Sequence, residues 1–328
     1  MTTLIKQFYK GGLFLSLILL IASCAEMEEQ TAPINKTSLN TIPEVLKSME
    51  NGDQGIDVGA RKSAGNTYAT FNAALGKTGL ASVFSRNDLT VFAPNDAAFA
   101  ALGLNPGNIG NVEGLANILL YHVVSGSVFS TDLTEGFVPT VNGAAVEISL
   151  IGGAKVNEAN IIMVDKQARN GVIHGIDAVL FPPTKNIMQL VDSNTDFSVL
   201  KTAIDAAGLR EALATTNNIT VFAPTNQAFL DLLEELGYDN LDELVGAIGQ
   251  SGLVSVLKYH VFAGGRVYSS DLSNGDITMF SGDDVTVDVS GPKLIDLNNR
   301  ESMIIGTDVQ ATNGVVHVLD AVIVNLPL

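Results

Sequence analysis

Tryptophan is missing from this chain of 328 residues, aromatic residues make up only 6% of it, and there is a single cysteine. One cysteine excludes an internal disulfide framework and a thiolate-rich metal site. Histidine is scarce as well, with four copies. Lysine and arginine total 18 against 35 acidic residues, a formal net charge of −17. That balance disfavours nucleic acid, whose phosphates require clustered bases, and it supplies no polybasic patch for anionic lipid. Nucleophile and nucleotide motifs are also wanting: there is no Gly-x-Ser-x-Gly and no Gly-x-Gly-x-x-Gly after a strand. Gly76-Lys77-Thr78 imitates the end of a phosphate loop, but Phe71 stands where the loop needs its first glycine. No enzyme is expected from these residues, and no cofactor.

What the chain does have is aliphatic material, 46% hydrophobic residues in a length suited to about two domains of roughly 150 residues. It begins with Lys6 and Lys10, the apolar run Leu13 to Ile21, then Ala22-Ser23-Cys24. A basic start, a short apolar stretch and small residues make a secretory signal, and the run is too short to span a bilayer. Ile21-Ala22-Ser23-Cys24 resembles the bacterial lipobox, which implies cleavage before Cys24 and acylation of that cysteine; a plain signal peptide with a chance cysteine is the alternative. The acidic Ala25-Glu26-Met27-Glu28-Glu29 resembles an export signal of surface lipoproteins. The expected address is therefore the cell envelope, as an outer-membrane lipoprotein exposed at the surface and held to the membrane by its lipid alone. Residues 1–23 read as the signal peptide and 24–39 as an acidic, flexible tether.

The rest is a duplication. Thr-Val-Phe-Ala-Pro occurs at Thr90–Pro94 and again at Thr220–Pro224. Each copy is followed by Tyr-His (Tyr121-His122, Tyr259-His260) and then by Asn-Gly-Val-x-His (Asn170 to His174, Asn313 to His317). All four histidines thus occupy matched places in two repeats, read as domains over 40–183 and 184–328. Pro182-Pro183 makes a short, stiff joint between them. Thr-Val-Phe reads as a strand that proline ends, and the polar pair after it (Asn95-Asp96, Thr225-Asn226) suits a helix cap. Gly103 and Gly237 stand where helices close. Asn170-Gly171 and Asn313-Gly314 read as the central pairs of hairpin turns. In the strands that follow, alternation puts Val172, His174, Ile176, Ala178 and Leu180 on one face, with Val315, His317, Leu319, Ala321 and Ile323 in the second repeat. Asp177 and Asp320 fall on the other face, either solvated or bound to backbone donors near a turn.

These phrases, in this order and twice over, resemble the signatures of the fasciclin domain family, over roughly residues 65–182 and 190–326. Thr90, Phe92, Pro94 and Thr220, Phe222, Pro224 carry the first signature. Asn170, Gly171, His174 and Asn313, Gly314, His317 carry the second. The resemblance implies an α+β fold: two tandem domains, each a β-sandwich-like wedge packed against several short α-helices. It also implies extracellular adhesion through protein, matrix or glycan partners. Animal members bind integrins through the Tyr-His region and an Asp-Ile pair shortly before Asn-Gly-Val. Tyr121, His122, Tyr259 and His260 match the first and Asp308-Val309 approximates the second, whereas Asp165-Lys166 departs from it. These six are the candidate binding residues.

A metal reading of the histidines lacks both cysteine and His-x-x-His spacing, so buried neutral imidazoles bonded to backbone are the favoured alternative. The Asp283, Asp284 and Asp288 cluster lacks calcium-loop spacing and reads as a solvated acidic loop. Together the residues and the resemblance lead us to expect a lipid-anchored cell-surface adhesion or binding protein. A glycan-capture accessory lipoprotein and a structural envelope spacer are the rival readings.

Overall fold

A computed structural model describes residues 39–50 and 67–326. The signal, the tether, Cys24 and the Gly- and Asp-rich stretch from Asn51 to Gly65 lie outside the described residues. The first repeat opens with helices α1 (Ile42–Ser48), α2 (Ala69–Thr78) and α3 (Ala81–Arg86), then strand β1 (Leu89–Pro94), α4 (Asp96–Ala100) and α5 (Leu115–Tyr121). Strands β2 (Val123–Ser125), β3 (Gly136–Pro139), β4 (Ala145–Ser149), β5 (Lys155–Val156), β6 (Ala159–Ala168) and β7 (Gly171–Ile176) complete it. The second repeat follows the same plan. Its helices are α6 (Ile187–Ser193), α7 (Ser198–Ala207), α8 (Arg210–Thr215), α9 (Asn226–Leu236) and α10 (Leu241–Tyr259), the last broken by a kink at Gly249. Its strands are β8 (Ile219–Pro224), β9 (Val261–Phe262), β10 (Gly275–Thr278), β11 (Asp284–Asp288), β12 (Lys293–Ile295), β13 (Glu301–Ala311) and β14 (Gly314–Leu319).

The two sheets have one topology. Strand order is β2-β1-β7-β6-β5-β4-β3 in the first and β9-β8-β14-β13-β12-β11-β10 in the second. Only β1 with β7 and β8 with β14 run parallel; every other pairing is antiparallel. Each sheet curls until its ends meet: the Val141 N–H donates to the Val123 carbonyl (2.8 Å), and that of Phe280 to the Val261 carbonyl (2.7 Å). This curl produces the wedge, with one apolar core inside the fold of the sheet and another between the sheet and the helices. Phe92, Val146, Ile148 and Ile176 belong to the inner core of the first repeat; Phe71, Leu75, Phe84 and Ile173 belong to its helical core.

Burial on both sides revises one expectation. Every residue of β7 is buried, so alternation there divides two cores rather than core from solvent. The strand also stops at Ile176, and β14 at Leu319, so Ala178, Leu180, Ala321 and Ile323 lie beyond the pleat. Asp177 and Asp320 sit just past those ends. Asp177 accepts from the Asn160 N–H (2.7 Å) and Asp320 from the Met303 N–H (2.7 Å), the turn-side alternative.

The caps follow the polar pairs. Asn95 accepts from the Ala98 N–H at the start of α4, and Thr225 from the Ala228 N–H at the start of α9. The second member of each pair holds a different helix. Asp96 accepts from the Ala69 and Thr70 N–H groups of α2 (3.2 and 2.7 Å), and Asn226 from the Val199 N–H of α7 (2.9 Å). Burial raises the Asp96 pKa, and a bond from the Thr67 hydroxyl together with those from α2 lowers it, with a net fall. Gly237 closes α9 in the left-handed conformation, as a C-terminal glycine does.

The two repeats meet directly. The Phe137 and Tyr268 rings stack at 4.5 Å and 9° between planes. The Gln310 side chain pairs with the Ala145 backbone as another strand would, accepting from its N–H (3.0 Å) and donating to its carbonyl (2.9 Å). Tyr268 donates its hydroxyl to the same Gln310 oxygen.

Candidate functional site

The signature residues converge on the seam where β1 and β7 run parallel. Thr90 donates its hydroxyl to the Gly126 carbonyl (2.7 Å) and accepts from the Val128 N–H (2.8 Å). Thr220 does the same with Gly265 and Val267. Phe92 stacks on His174 at 5.6 Å between ring centres, and Phe222 on His317 at 5.4 Å. Pro94 and Pro224 end their strands without an N–H to offer. Asn170 is a three-way tie: its oxygen accepts from the Ile42 N–H (3.0 Å), while its nitrogen donates to the Phe84 (2.7 Å) and Asn87 (2.8 Å) carbonyls. Asn313 ties Ile187, Leu213 and Thr216 in the same manner. An amide offers one acceptor and two donors on one short arm, which is what this junction of two helices and a strand requires.

The turn itself lies one residue earlier than the Asn-Gly pair suggests. Arg169-Asn170 forms the two-residue loop, and Gly171 already opens β7 opposite Leu89. A Cβ on Gly171 would sit 1.9 Å from the Leu89 oxygen, and one on Gly314 would sit 2.3 Å from that of Ile219. Glycine is there for close backbone approach, and at Gly171 also for a φ of 150°, rather than as a central residue of the turn.

The four histidines are buried and engaged. His122 closes α5; its Nδ1–H donates to the Ile118 carbonyl (2.8 Å) and its Nε2 accepts from the Leu180 N–H (2.9 Å). His260 repeats this with Val256 (2.8 Å) and Ile323 (3.2 Å). Each ring thereby fastens the end of its repeat to the end of a helix. His174 and His317 take the opposite tautomer. Their Nε2–H groups donate to Val128 (2.9 Å) and Val267 (2.8 Å), and their Nδ1 atoms face the N–H groups of Asp165 and Asp308 at 3.4 Å. Burial lowers the pKa of all four, with His122 and His260 brought down to about 4. Bonds to carbonyls oppose this without reversing it. No group of three or more metal-ligating side chains gathers among the described residues.

The candidate binding residues occupy two kinds of place. Tyr121 (2% exposed), His122 (0%), Tyr259 (0%) and His260 (3%) are withdrawn from solvent. A partner touching these side chains would first have to unpack the domain. The tyrosines donate to the carbonyls that begin β4 and β11, Ala145 (2.8 Å) and Asp284 (2.6 Å). Tyr121 therefore grips the residue that Gln310 also holds, behind the joint between repeats. Burial raises both phenol pKa values, that of Tyr121 against opposing bonds.

Asp308 and Val309 lie on a bulged part of β13, where pairing with β14 slips between Gly306 and Val309. Asp308 adopts a left-handed conformation (φ 62°), as does Asp165 at the same place in β6 (φ 58°). Both carboxylates do the same work, accepting from a serine N–H and hydroxyl: Ser269 for Asp308 and Ser130 for Asp165. The divergence that sequence sees at Lys166 therefore leaves the aspartate latch unchanged. Val309 remains 41% exposed beside Ile305 at 58% on the same face of β13. Asp308→Ala is expected to cost about 1–2 kcal/mol through loss of the two serine bonds, read as a lower denaturant midpoint for the second domain. An unchanged midpoint would show that the latch carries no stability.

The fasciclin domain family model matches residues 66–182 and 195–325. The chain belongs to that family, whose domains typically act as adhesion or binding modules. The transforming growth factor-beta-induced protein ig-h3 of Sus scrofa is 30% identical over 242 residues, which cover 72% of this chain and 34% of that protein. Homo sapiens periostin is 28% identical over 246 residues, 73% of this chain and 28% of periostin. A Synechocystis sp. protein is 35% identical over 137 residues, 42% of this chain and 72% of its own length. The chain spans about a third of the length of the first two relatives. A solved pair of such domains, from the insect cell adhesion molecule fasciclin I, aligns with 78% of this chain and 96% of its own at 18% identity and a TM-score of 0.37.

Proposed function

We propose that the protein is a lipid-anchored cell-surface adhesion or binding protein, engaging extracellular protein, matrix or glycan partners noncovalently through its two fasciclin domains. The observation that carries this reading is the consumption of every histidine and signature polar group by internal bonds, which leaves recognition to the outer surface. Tyr121, His122, Tyr259 and His260 serve it from inside, by holding the strand starts and chain ends that shape that surface. Asp308 holds the bulge, and Val309 offers contact area beside it.

The anchor in this reading is Cys24, freed by removal of residues 1–23, with the acidic tether directing the chain outward. Among the described residues no helix is long and apolar enough to cross a membrane. Several acyl chains on one cysteine give a stable hold where a single chain gives a marginal one. Two modules joined face to face raise avidity when both reach one target.

The test measures attachment of cells with and without the gene to surfaces coated with matrix protein or with glycans, beside labelling of Cys24 with a fatty-acid probe. Reduced attachment to a protein surface supports adhesion, and loss of binding to glycans alone supports glycan capture. Attachment unchanged on every surface leaves a spacer and removes the proposal.

A further inference from the structure

The first domain contains an open cavity of about 340 Å3 between the ends of α3 and α5, the edge strand β2 and its neighbour β1. Phe84, Leu89, Leu120, Val123 and Val141 supply its apolar walls, and Asp88 stands exposed in its lining. The same place in the second domain holds a cavity of only about 50 Å3. The two sites correspond at their walls. Leu120 and Lys258 each precede the tyrosine of Tyr-His, and Val141 and Phe280 each close the curl of the sheet onto the matching carbonyls of Val123 and Val261. In the second domain the Phe280 ring lines the site, and the Lys258 ammonium lies 5.4 Å from the ring centre. That is an aromatic ring with a cation beside it, supplied by the chain itself. The first domain keeps the walls and lacks both parts: valine replaces the ring and leucine replaces the cation.

We propose that this cavity of the first domain binds an aromatic ring that carries an amine on a short arm. The ring lies against the walls where the half-exposed Phe280 ring lies in the second domain, and the ammonium meets the Asp88 carboxylate at the mouth. Three observations fix the ligand chemistry. The second repeat shows that a phenyl ring suits this position in the fold. The volume falls within the usual size of small-ligand sites. Asp88 adds a carboxylate to the lining of the first site, whereas no acidic side chain lines the second. A ligand charged like Lys258 thus finds its opposite charge in the first domain alone. This site is separate from the bulge at Asp308, so the proposal stands or falls independently of the adhesion reading.

The experiment titrates the full chain with 2-phenylethylamine, and separately with the tetrapeptide Gly-Lys-Phe-Gly amide, while following backbone amide resonances. Saturable shifts confined to the neighbourhood of Leu89, Leu120, Val123 and Val141 are expected, with millimolar affinity suited to so small a probe. Binding of the amine alone identifies a free aryl-alkyl amine as the ligand class; binding of both identifies a peptide side chain as a competent source of the ring. Asp88→Asn should weaken the amine about tenfold. Leu120→Lys with Val141→Phe should abolish the shifts, and Lys258→Leu with Phe280→Val should create a second set around Ile219 and Val261. This reverse pair keeps the test sound if the first pair folds poorly. Absence of saturable shifts, or shifts indifferent to Asp88→Asn and to both pairs, overturns the proposal.

Discussion

Gly171→Ala is expected to destabilise the first domain by about 4 kcal/mol or more, a large part of a typical domain's margin, beside an intact second domain. The added Cβ would stand 1.9 Å from the Leu89 oxygen and 2.9 Å from its carbonyl carbon, both in backbone. Backbone cannot rotate aside as the tip of a side chain can. Relief requires β1 and β7 to part, and that is the only parallel pairing in the sheet, with Phe92 stacked on His174 across it. Gly314→Ala should do the same to the second domain, with 2.3 Å to the Ile219 oxygen. Gly76→Ala is the control. It lies inside α2 with nothing within 4 Å of the new Cβ, so it should stabilise by about 0.5–1 kcal/mol. Urea melts followed separately for each domain decide the matter. Near-equal midpoints for Gly171→Ala and Gly76→Ala would refute the close-approach argument.

This glycine also shows how far the sequence can be read. Asn-Gly signals a hairpin, and a hairpin is present, yet the demand on Gly171 comes from Leu89, 82 residues earlier in the chain. A local pattern finds the turn, and a φ of 150° is a local demand for glycine, but the close approach to Leu89 is tertiary. The same holds for alternation in β7, where a period of two finds the strand but cannot know that helices cover its second face. Polar pairs after the prolines were legible as caps because capping is local. That Asp96 and Asn226 hold α2 and α7 instead was not, since those partners lie 26 and 27 residues away.

Of the candidate site, the buried neutral state of the histidines was readable from what surrounded them: no cysteine, no metal spacing and aliphatic neighbours. Tyr121, His122, Tyr259 and His260 lie beneath the surface, as the same aliphatic context implies, although their resemblance to binding motifs implies the outer face. Nothing in the sequence marked Gln310 as the residue that pairs with Ala145 across the repeats. A glutamine at that place occurs in both halves, Gln167 and Gln310, and only the structure shows which one meets a neighbour. The cavity beneath Val141 was equally silent. It becomes visible when the two halves are compared as structures, because its counterpart is much smaller and is lined by Phe280, a residue with no motif around it.

Stability should fall steeply as pH drops from about 6.5 towards 4, before most carboxylates titrate. His122 and His260 are neutral in the fold with pKa values of about 4, against an ordinary value of 6.5. The cause is burial, and the geometry agrees: each Nε2 accepts an N–H, from Leu180 or Ile323, so a proton there would set donor against donor. In this window the unfolded chain binds protons that the folded chain refuses, so protonation favours unfolding. The stabilising term is complete above 6.5, shrinks as pH falls through the window, and is gone once pH lies below both values. At about 1.4 kcal/mol for each pH unit, each ring accounts for about 3 kcal/mol. Losing that amount in each domain consumes a large part of a typical domain's margin. His174 and His317 add to the loss in the same direction. Chemical denaturation at intervals between pH 7 and 4 measures the slope domain by domain. His122→Gln should flatten the slope of the first domain and leave that of the second, at a cost in stability at neutral pH. A midpoint unchanged across this window would mean that the imidazoles take up protons as readily in the fold as in the unfolded chain, and the tautomers assigned to their bonds would be wrong.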